Sequence, residues 1–288
     1  MKKEWQRLGP EEFPPLLTEL PDTPKELWVE GTLPNWGEVK VLAVVGSRKY
    51  SQYGKDVCEK LISGLAGYPV IIVSGLAIGI DTIAHKTALA ARLTTIAVPG
   101  SGLDRSVLHP RSNVRLADEI VESGGALISE QAPTAPAGLH TFPRRNRIMA
   151  GLAHAILIVE AGAQSGTLIT ARLALDYNRD VLAVPGSIFS TNTTGTHSLI
   201  RNGAALAAES ADILSVLGLS SEQETRPLPL TTLSPRERAL VECIALNPLS
   251  RDEIIHELAL PVSEVNTLIA TLEIQGIIVE RGGELHLS

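Results

Sequence analysis

The segment LAVVGSR at residues 42–48 decides the fold, because a short apolar run ends abruptly in a glycine and two polar residues. Four further runs repeat this arrangement: VIIVSGLAIGID (70–81), TIAVPGSG (95–102), ILIVEAGAQSGT (156–167) and VLAVPGS (181–187). Short β-branched runs without polar alternation are typical of strands that are buried on both faces. The five runs are therefore predicted to be neighbours in one parallel sheet covered by helices.

The glycine-containing turns after these runs should share one edge of the sheet, where the parallel strands end (the carboxyl edge). Ligands of open parallel sheets bind outside this edge, and glycine lets backbone N–H groups come close to an anion. We therefore expect a broad polar edge that is suited to phosphate.

Composition and length indicate an ordinary globular protein. The chain has 288 residues, 44% of them hydrophobic, which is enough for one large and one small domain. It shows no apolar stretch of about 18 residues and no charged-then-apolar leader, so we expect a cytoplasmic protein without a membrane span. Cys58 and Cys243 lack metal or redox spacing and are interpreted as core residues, so neither a disulfide nor a metal site is expected.

Strand and helix patterns divide the chain into four parts. Residues 1–40 are punctuated by prolines and predict an irregular strap packed on the following domain. Residues 41–217 alternate strand and helix and predict a Rossmann-like α/β domain with a mostly parallel sheet. Residues 218–232 have the composition of a linker. Residues 233–288 predict three helices and a two-stranded hairpin, the order of a small winged-helix domain.

The net charge of −7 is unevenly distributed. Residues 1–40 carry five Lys/Arg against eight Asp/Glu, and residues 232–288 carry four against nine. Residues 41–231 carry 16 against 15 and are the part most compatible with nucleic acid.

Gly46, Ser47 and Arg48 follow the first predicted strand. Backbone N–H groups, a hydroxyl and a guanidinium fork can together hold a phosphate at such a position. The alternative is a tight turn that carries a surface arginine.

The sequence lacks the usual nucleotide-binding motifs. SGLAIGID (74–81) has GxxxG rather than GxGxxG spacing, and no GxxxxGK[ST] motif occurs. Ser74 stands where a ribose-binding acid is expected, so NAD and ATP are disfavoured and no cofactor is expected. Asp81 and His85, four residues apart on a predicted helix, are interpreted as structural hydrogen-bonding residues.

The segment HTFPRRNRIMAG (140–151) places Phe142 close to Arg144, Arg145 and Arg147. An aromatic ring beside guanidinium groups suits single-stranded nucleic acid, because bases stack on rings while cations contact phosphates. The alternative is that the ring is buried in the core and that the arginines pair with acids.

The segment EAGAQSGT (160–167) resembles a phosphate-holding turn, with Ser165, Gly166 and Thr167 opening a helix. Glu160 is predicted to form a salt bridge with an arginine of the preceding helix. The chain has no GxSxG motif and no evident histidine triad, so no catalytic residue is predicted.

The segment THSLIRNGAALA (196–207) follows the last predicted strand. His197, Ile200 and Leu206 either belong to the core or form an apolar patch suited to a twofold contact.

These motifs together resemble the DNA-processing protein A family, also called DprA or Smf, from residue 13 to about residue 215. The resemblance rests on GSR, SGLAIGID, GSGLD (100–104), HPRSN (109–113), FPRRNRIMAGL (142–152), VEAGAQSGTLITA (159–171), AVPGS and HSLIRNGA. It implies a non-enzymatic homodimer that binds and protects incoming single-stranded DNA and loads the RecA recombinase in natural transformation.

The resemblance also implies site residues. Gly46, Ser47 and Arg48 would bind phosphate, and Phe142 would stack near a base. The dimer contact would contain His197, Ile200 and Leu206. The full candidate DNA-contact set adds Ser74, Gly75, Gly100, Ser101, Gly102, Arg144, Arg145, Asn146, Ser165, Gly166 and Thr167.

Several features depart from the family pattern. His109 stands where tyrosine is usual, and Leu139 stands where some members carry lysine. About 40 residues precede the first long strand, whereas members often begin with a helical SAM-like domain. The acidic last domain favours a protein-contact role over duplex binding.

Two other classes of function remain open. The sheet also resembles that of lysine-decarboxylase-like phosphoribohydrolases and molybdenum-cofactor carriers. The hydrolases, however, have a GTxxE motif, and Thr170 stands at the position of its glutamate in this chain. A winged-helix transcription factor is the third interpretation, and the acidity of the last domain argues against it.

Overall fold

The computed structural model describes residues 5–219, 233–246, 249–258, 260–274, 277–281 and 283–287. The chain forms two compact units, Met1–Ser221 and Glu222–Ser288. Residues 220–232, which make up most of the predicted linker, lie outside the described residues. Within the described ranges, no helix is both long and apolar enough to cross a bilayer.

The first unit is built on one sheet with the strand order β1-β2-β6-β5-β4-β3-β7-β8-β9. Its strands are β1 (Gln6–Leu8), β2 (Leu27–Gly31), β3 (Lys40–Val45), β4 (Val70–Ser74), β5 (Thr95–Ala97), β6 (Ala126–Ser129), β7 (Ala155–Ile158), β8 (Asp180–Ala183) and β9 (Ala205–Leu206). In this spatial order, each pair of neighbouring strands in β6-β5-β4-β3-β7-β8-β9 is parallel. The predicted, mostly parallel α/β fold is therefore confirmed.

Helices cover both faces of this sheet. They are α1 (Pro15–Thr18), α2 (Gln52–Ser63), α3 (Ile80–Ala90), α4 (Val114–Glu122), α5 (Thr141–Leu152), α6 (Thr167–Asp176), α7 (Thr194–Arg201) and α8 (Ser210–Val216), with 3-10 turns at Pro10–Glu12 and Arg111–Asn113. Alternate residues of β3 enter different cores: Val41 and Ala43 join the cluster that includes α5, whereas Leu42 and Val44 join the cluster that includes α2. Burial on both faces explains the continuous apolar runs.

The prediction of an irregular strap for residues 1–40 is wrong in one respect, since the strap supplies two strands of the main sheet. β1 pairs with β2, and β2 pairs with β6, both in antiparallel register. Leu27 and Val29 are buried there. β2 thus pairs with the side of β6 that faces away from β5, where the backbone groups of β6 would otherwise have no strand partner.

The second unit contains the predicted winged-helix elements. Its helices are α9 (Pro235–Leu246), α10 (Arg251–Leu258) and α11 (Val262–Ile274), and its strands are β10 (Leu249–Ser250), β11 (Ile278–Arg281) and β12 (Glu284–Leu287). The short strand β10 was not predicted; it pairs with β12 and extends the hairpin to three strands. Leu240, Ile254, Ile269 and Leu285 are buried in its core.

Candidate nucleic-acid interface

A cleft opens where the direction of strand winding reverses. β3 lies between β4, which follows it in the chain, and β7, from which the chain continues away through β8 and β9. Open α/β sheets bind ligands at this switch point. The cleft there has a volume of about 630 Å³. This switch-point cleft is lined by Val45, Gly46, Ser47, Arg48, Lys49, Ala77, Asp81, Phe142, Pro143, Arg145, Asn146, Met149, Gly162, Gln164, Ser165, Gly166, Thr167, Ile169, Thr170 and Asn192.

The turn after β3 packs tightly on the start of α3. The N–H of Ile80 donates to the carbonyl of Ser47 at 3.2 Å. Gly79 has a φ of +92°, and a Cβ there would meet the backbone of Ser47 and Arg48. The N–H of Lys49 donates to Ser47 Oγ at 3.0 Å, which leaves the hydroxyl proton of Ser47 available to a ligand.

Arg48 lies over the ring of Phe142. The Arg48 Cζ is 5.4 Å from the ring centroid, and the Arg48 side chain is exposed. The ring of His109, the residue that departs from the family tyrosine, lies 5.7 Å from the Phe142 ring at a 60° tilt. A Cβ at Gly100 would come within 2.6 Å of Phe142 Cδ1. These contacts hold the half-buried ring beside an exposed cation.

Arg145 is buried and holds α5 against the sheet. Its Nη1 donates to the carbonyl of Val98 at 2.6 Å and to the carbonyl of Gly75. Burial lowers the pKa of Arg145 while the neighbouring carboxylate of Asp81 raises it. Burial likewise raises the pKa of Asp81, against the opposing charge of Arg145. Arg145 therefore lines the cleft, but its guanidinium donates hydrogen bonds to the carbonyls that follow β4 and β5.

Arg147 and Arg144 differ from each other in exposure. The Arg147 side chain is 9% exposed and bonds to Glu130 and to the carbonyl of Asp22. The Arg144 side chain is 58% exposed, with Nη2 3.4 Å from Glu130 Oε1. Both arginines therefore pair with Glu130, as the alternative of acid-paired arginines expects, but Arg144 is the most accessible guanidinium of α5.

The predicted salt bridge between Glu160 and an arginine of the preceding helix is wrong. The Glu160 carboxylate instead accepts from the N–H of Ser51 at 3.0 Å and from Ser51 Oγ at 2.6 Å. Ser51 is the N-cap of α2, where its Oγ accepts from the N–H of Gly54. A protein carboxylate therefore occupies the helix N-terminus that a nucleotide phosphate often takes in such folds.

The turn before α6 lies on the opposite wall of the cleft. Ser165 Oγ donates to Thr167 Oγ1 at 2.9 Å and accepts from the N–H of Thr167 at 3.2 Å. Lys49, Gln164 and Asn192 also line the cleft and were not predicted. Asn192 follows β8 at the same carboxyl edge, and its Nδ2 donates to the carbonyl of Lys49 at 3.0 Å. The location of Asn192 in the loop after a predicted strand is the sequence signal that could have identified it as a cleft residue.

Six candidate contact residues are not part of the cleft lining: Arg144, which lines a neighbouring depression, and Ser74, Gly75, Gly100, Ser101 and Gly102. The hydroxyl of Ser74 donates to the carbonyl of Val44 at 2.7 Å. Ser101 is fully buried, and its Oγ accepts from the N–H of His109 at 3.2 Å. A Cβ at Gly75 would overlap the Arg145 guanidinium. The two serines and three glycines therefore support the residues that line the cleft.

Asp81 and His85 have separate structural partners. Asp81 Oδ2 accepts from the N–H of Ala77 at 3.3 Å. His85 Nδ1 lies 2.7 Å from Thr95 Oγ1.

The residues suggested for a dimer contact differ in exposure. His197 Nε2 lies 3.0 Å from the carbonyl of Gly186, and Ile200 packs against the core. Leu206 is 47% exposed on β9, the last strand in the sheet order.

Fold and cleft together define a class: an α/β protein whose switch-point cleft combines exposed cations with an aromatic ring, followed along the chain by a winged-helix unit. Residues 6–218 match the model of the DNA recombination-mediator protein A family, and residues 224–284 match the DprA winged helix domain. The chain belongs to the DNA recombination-mediator protein A family.

Named relatives agree with this assignment. Protein Smf of Escherichia coli is 40% identical over 290 residues, covering 96% of this chain and 75% of that protein. DNA processing protein DprA of Streptococcus pneumoniae is 45% identical over 204 residues, 70% of each chain. The X-ray structure of the Streptococcus protein has a TM-score of 0.69 with 41% identity and covers 74% of each chain.

A second solved structure is DNA processing protein A from Helicobacter pylori, described for its single-stranded DNA binding mode. It has a TM-score of 0.67 with 28% identity and covers 75% of this chain and 96% of that chain.

Proposed function

We propose that this protein binds single-stranded DNA in the switch-point cleft without hydrolysing it. The observation that carries the proposal is the placement of Arg48 over Phe142, 5.4 Å from guanidinium carbon to ring centroid. A strand in the cleft would place phosphates against Arg48 and the hydroxyl of Ser47, and a base near Phe142. Backbone contact and stacking require no particular sequence.

The charges of the cleft support binding of a polyanion. Arg48 and Lys49 are exposed, while Asp81, the one carboxylate among the described lining residues, is buried beside Arg145. Thr170, at the position of the hydrolase glutamate, is also buried and has no carboxylate for acid-base chemistry. Release of free base from a nucleoside monophosphate by the purified protein would instead support the hydrolase alternative.

Fluorescence anisotropy with labelled single-stranded and duplex DNA across a salt series tests the proposal. Arg48→Ala should weaken single-strand binding for every sequence and reduce the slope of log K against log salt by about 0.7. Arg115→Ala is the matched control, because that side chain is 91% exposed on α4 and lies outside the cleft lining. Unchanged titrations for Arg48→Ala would remove the assigned site.

The proposal extends to assembly with RecA in natural transformation, in the cytoplasm. The family description as a recombination mediator supports this extension. A protein that holds DNA mostly through its backbone, with few stacked bases, leaves the other bases accessible to a recombinase. Faster RecA assembly on single strands in its presence would support the role, and an unaltered rate would oppose it.

A homodimer is proposed through the exposed Leu206 on β9, together with His197 and Ile200, which are half-buried on α7. Leu206→Arg should convert a dimer to a monomer in sedimentation experiments, since a buried charge at an apolar contact is costly. An unchanged sedimentation coefficient would exclude this face.

The winged-helix unit is proposed to contact protein. Arg236 forms an ion pair with Glu264, and Arg251 pairs with Glu280 at 2.6 Å. α11, the helix that would enter a DNA groove, contains no lysine or arginine. These features disfavour contact with duplex phosphates.

A further inference from the structure

We propose that a second groove, between α2 and α3, extends the path of single-stranded DNA beyond the switch-point cleft. This inference rests on the proposed function. The α2–α3 groove has a volume of about 490 Å³ and is lined in part by Arg48, Tyr50, Lys55, Ile78 and Lys86. Arg48 lines both depressions, so the groove begins where the cleft ends.

The junction between the two depressions is built as one wall. The carbonyl of Ser47 accepts from the N–H of Ile80 at 3.2 Å, which ties the turn after β3 to the first residue of α3. Gly79, with its φ of +92°, permits this close approach. A single DNA strand that contacts Phe142 and Arg48 in the cleft could therefore continue over this turn into the groove.

The groove carries an excess of positive charge. Lys55 on α2 and Lys86 on α3 line it together with Arg48. Glu59 is the acid among its described lining residues, and its Oε1 lies 3.8 Å from Lys55 Nζ, so it offsets one cation. Lys86 is exposed and has no ion pair with any residue that the structure describes. Arg48 and Lys86 are thus available to the phosphates of a bound strand.

Exposed apolar surface accompanies these cations. Tyr50 is 44% exposed and Ile78 is 51% exposed, and both line the groove. Every base has a face that stacks on an aromatic ring, whereas paired bases in a duplex do not present that face. An exposed ring among cations therefore fits a single strand and repeats the combination of Arg48 and Phe142 in the cleft.

Titration of the full-length protein with labelled oligothymidylate of about 16 nucleotides tests the lysines. Lys86→Gln should weaken binding about fivefold and reduce the salt slope by about 0.7. Lys60→Gln is the matched control, because Lys60 is an exposed lysine of α2 outside the groove lining. Equal affinities for these two variants would overturn the extension.

Tyr50 provides an independent test. Tyr50→Ala should weaken binding about tenfold, whereas Tyr50→Phe should retain it, because the ring and not the hydroxyl meets the base. Equal affinities for these two variants would overturn the stacking role. If Arg48→Ala abolishes binding while the Lys86 and Tyr50 variants bind as wild type does, the cleft stands and the extension fails. If wild-type protein does not bind the oligonucleotide, the proposed function fails first.

Discussion

The Arg48 guanidinium carbon lies 5.4 Å from the centroid of the Phe142 ring, so a cation and a stacking surface meet at the carboxyl edge of the sheet. Phe142→Ala should weaken single-strand binding by about 1–3 kcal/mol, because one base loses its stacking partner. Anisotropy titrations measure the loss. Phe189→Ala is the control, since Phe189 is 91% exposed and outside the cleft lining. Equal losses for both variants would contradict a specific role for the Phe142 ring.

Arg145 and its neighbour Arg144 should respond differently to the same substitution. Arg145→Ala removes a buried guanidinium and leaves Asp81 and two backbone carbonyls without it, so the free energy of unfolding should fall by about 3–5 kcal/mol. Arg144→Ala, at an exposed side chain, should change it by less than about 0.5 kcal/mol. Urea denaturation provides both values. Similar stabilities for the two variants would show that Arg145 is not the anchor of α5.

Gly79 should be more sensitive than another glycine of positive φ. Gly67 has a φ of +86°, and a Cβ at that position would face open space, so Gly67→Ala should cost about 1 kcal/mol from backbone strain alone. Gly79→Ala should cost about 1–3 kcal/mol more, because the methyl group would press on the backbone of Ser47 and Arg48. It should also weaken DNA binding. Equal unfolding free energies would show that this contact relaxes freely.

The parallel sheet could be predicted because each strand carries its own signal. Burial on both faces makes the runs in β3, β4 and β7 continuously apolar, and glycine ends them. β2 gave no comparable signal, because its place depends on a partner far away in sequence: Trp28 pairs with Ser129. Prolines around it mark turns, and they do not indicate which strand it joins.

The site could be predicted as a region but not in its internal contacts. Parallel topology brings Gly46 and Gly166 to one edge whatever the details of packing. Which arginine of α5 turns inward depends on how that helix is rotated against Gly75 and Val98, which are set by other strands. The partner of Glu160 likewise depends on the position of Ser51, the N-cap of α2, which lies 109 residues earlier in the chain. Local sequence contains none of this information.

His85 should make stability depend on pH. Burial lowers the pKa of His85 to about 3, whereas an unperturbed histidine titrates near 6.5. Between these values the unfolded chain binds a proton that the native state does not, so the free energy of unfolding falls as pH decreases. The contribution of His85 should be about 2 kcal/mol between about pH 7 and about pH 5.

The measurement is urea denaturation of wild type and His85→Gln at both pH values. The variant loses the contact with Thr95 Oγ1 and should be less stable at pH 7, but its stability should fall by about 2 kcal/mol less on acidification. Burial also lowers the pKa of His154 and raises that of Asp81, which has the opposite sign, but both groups are present in both proteins. The difference between the two pH profiles therefore isolates His85. Parallel profiles would mean that the pKa of this histidine is the same in the folded protein as in the unfolded chain.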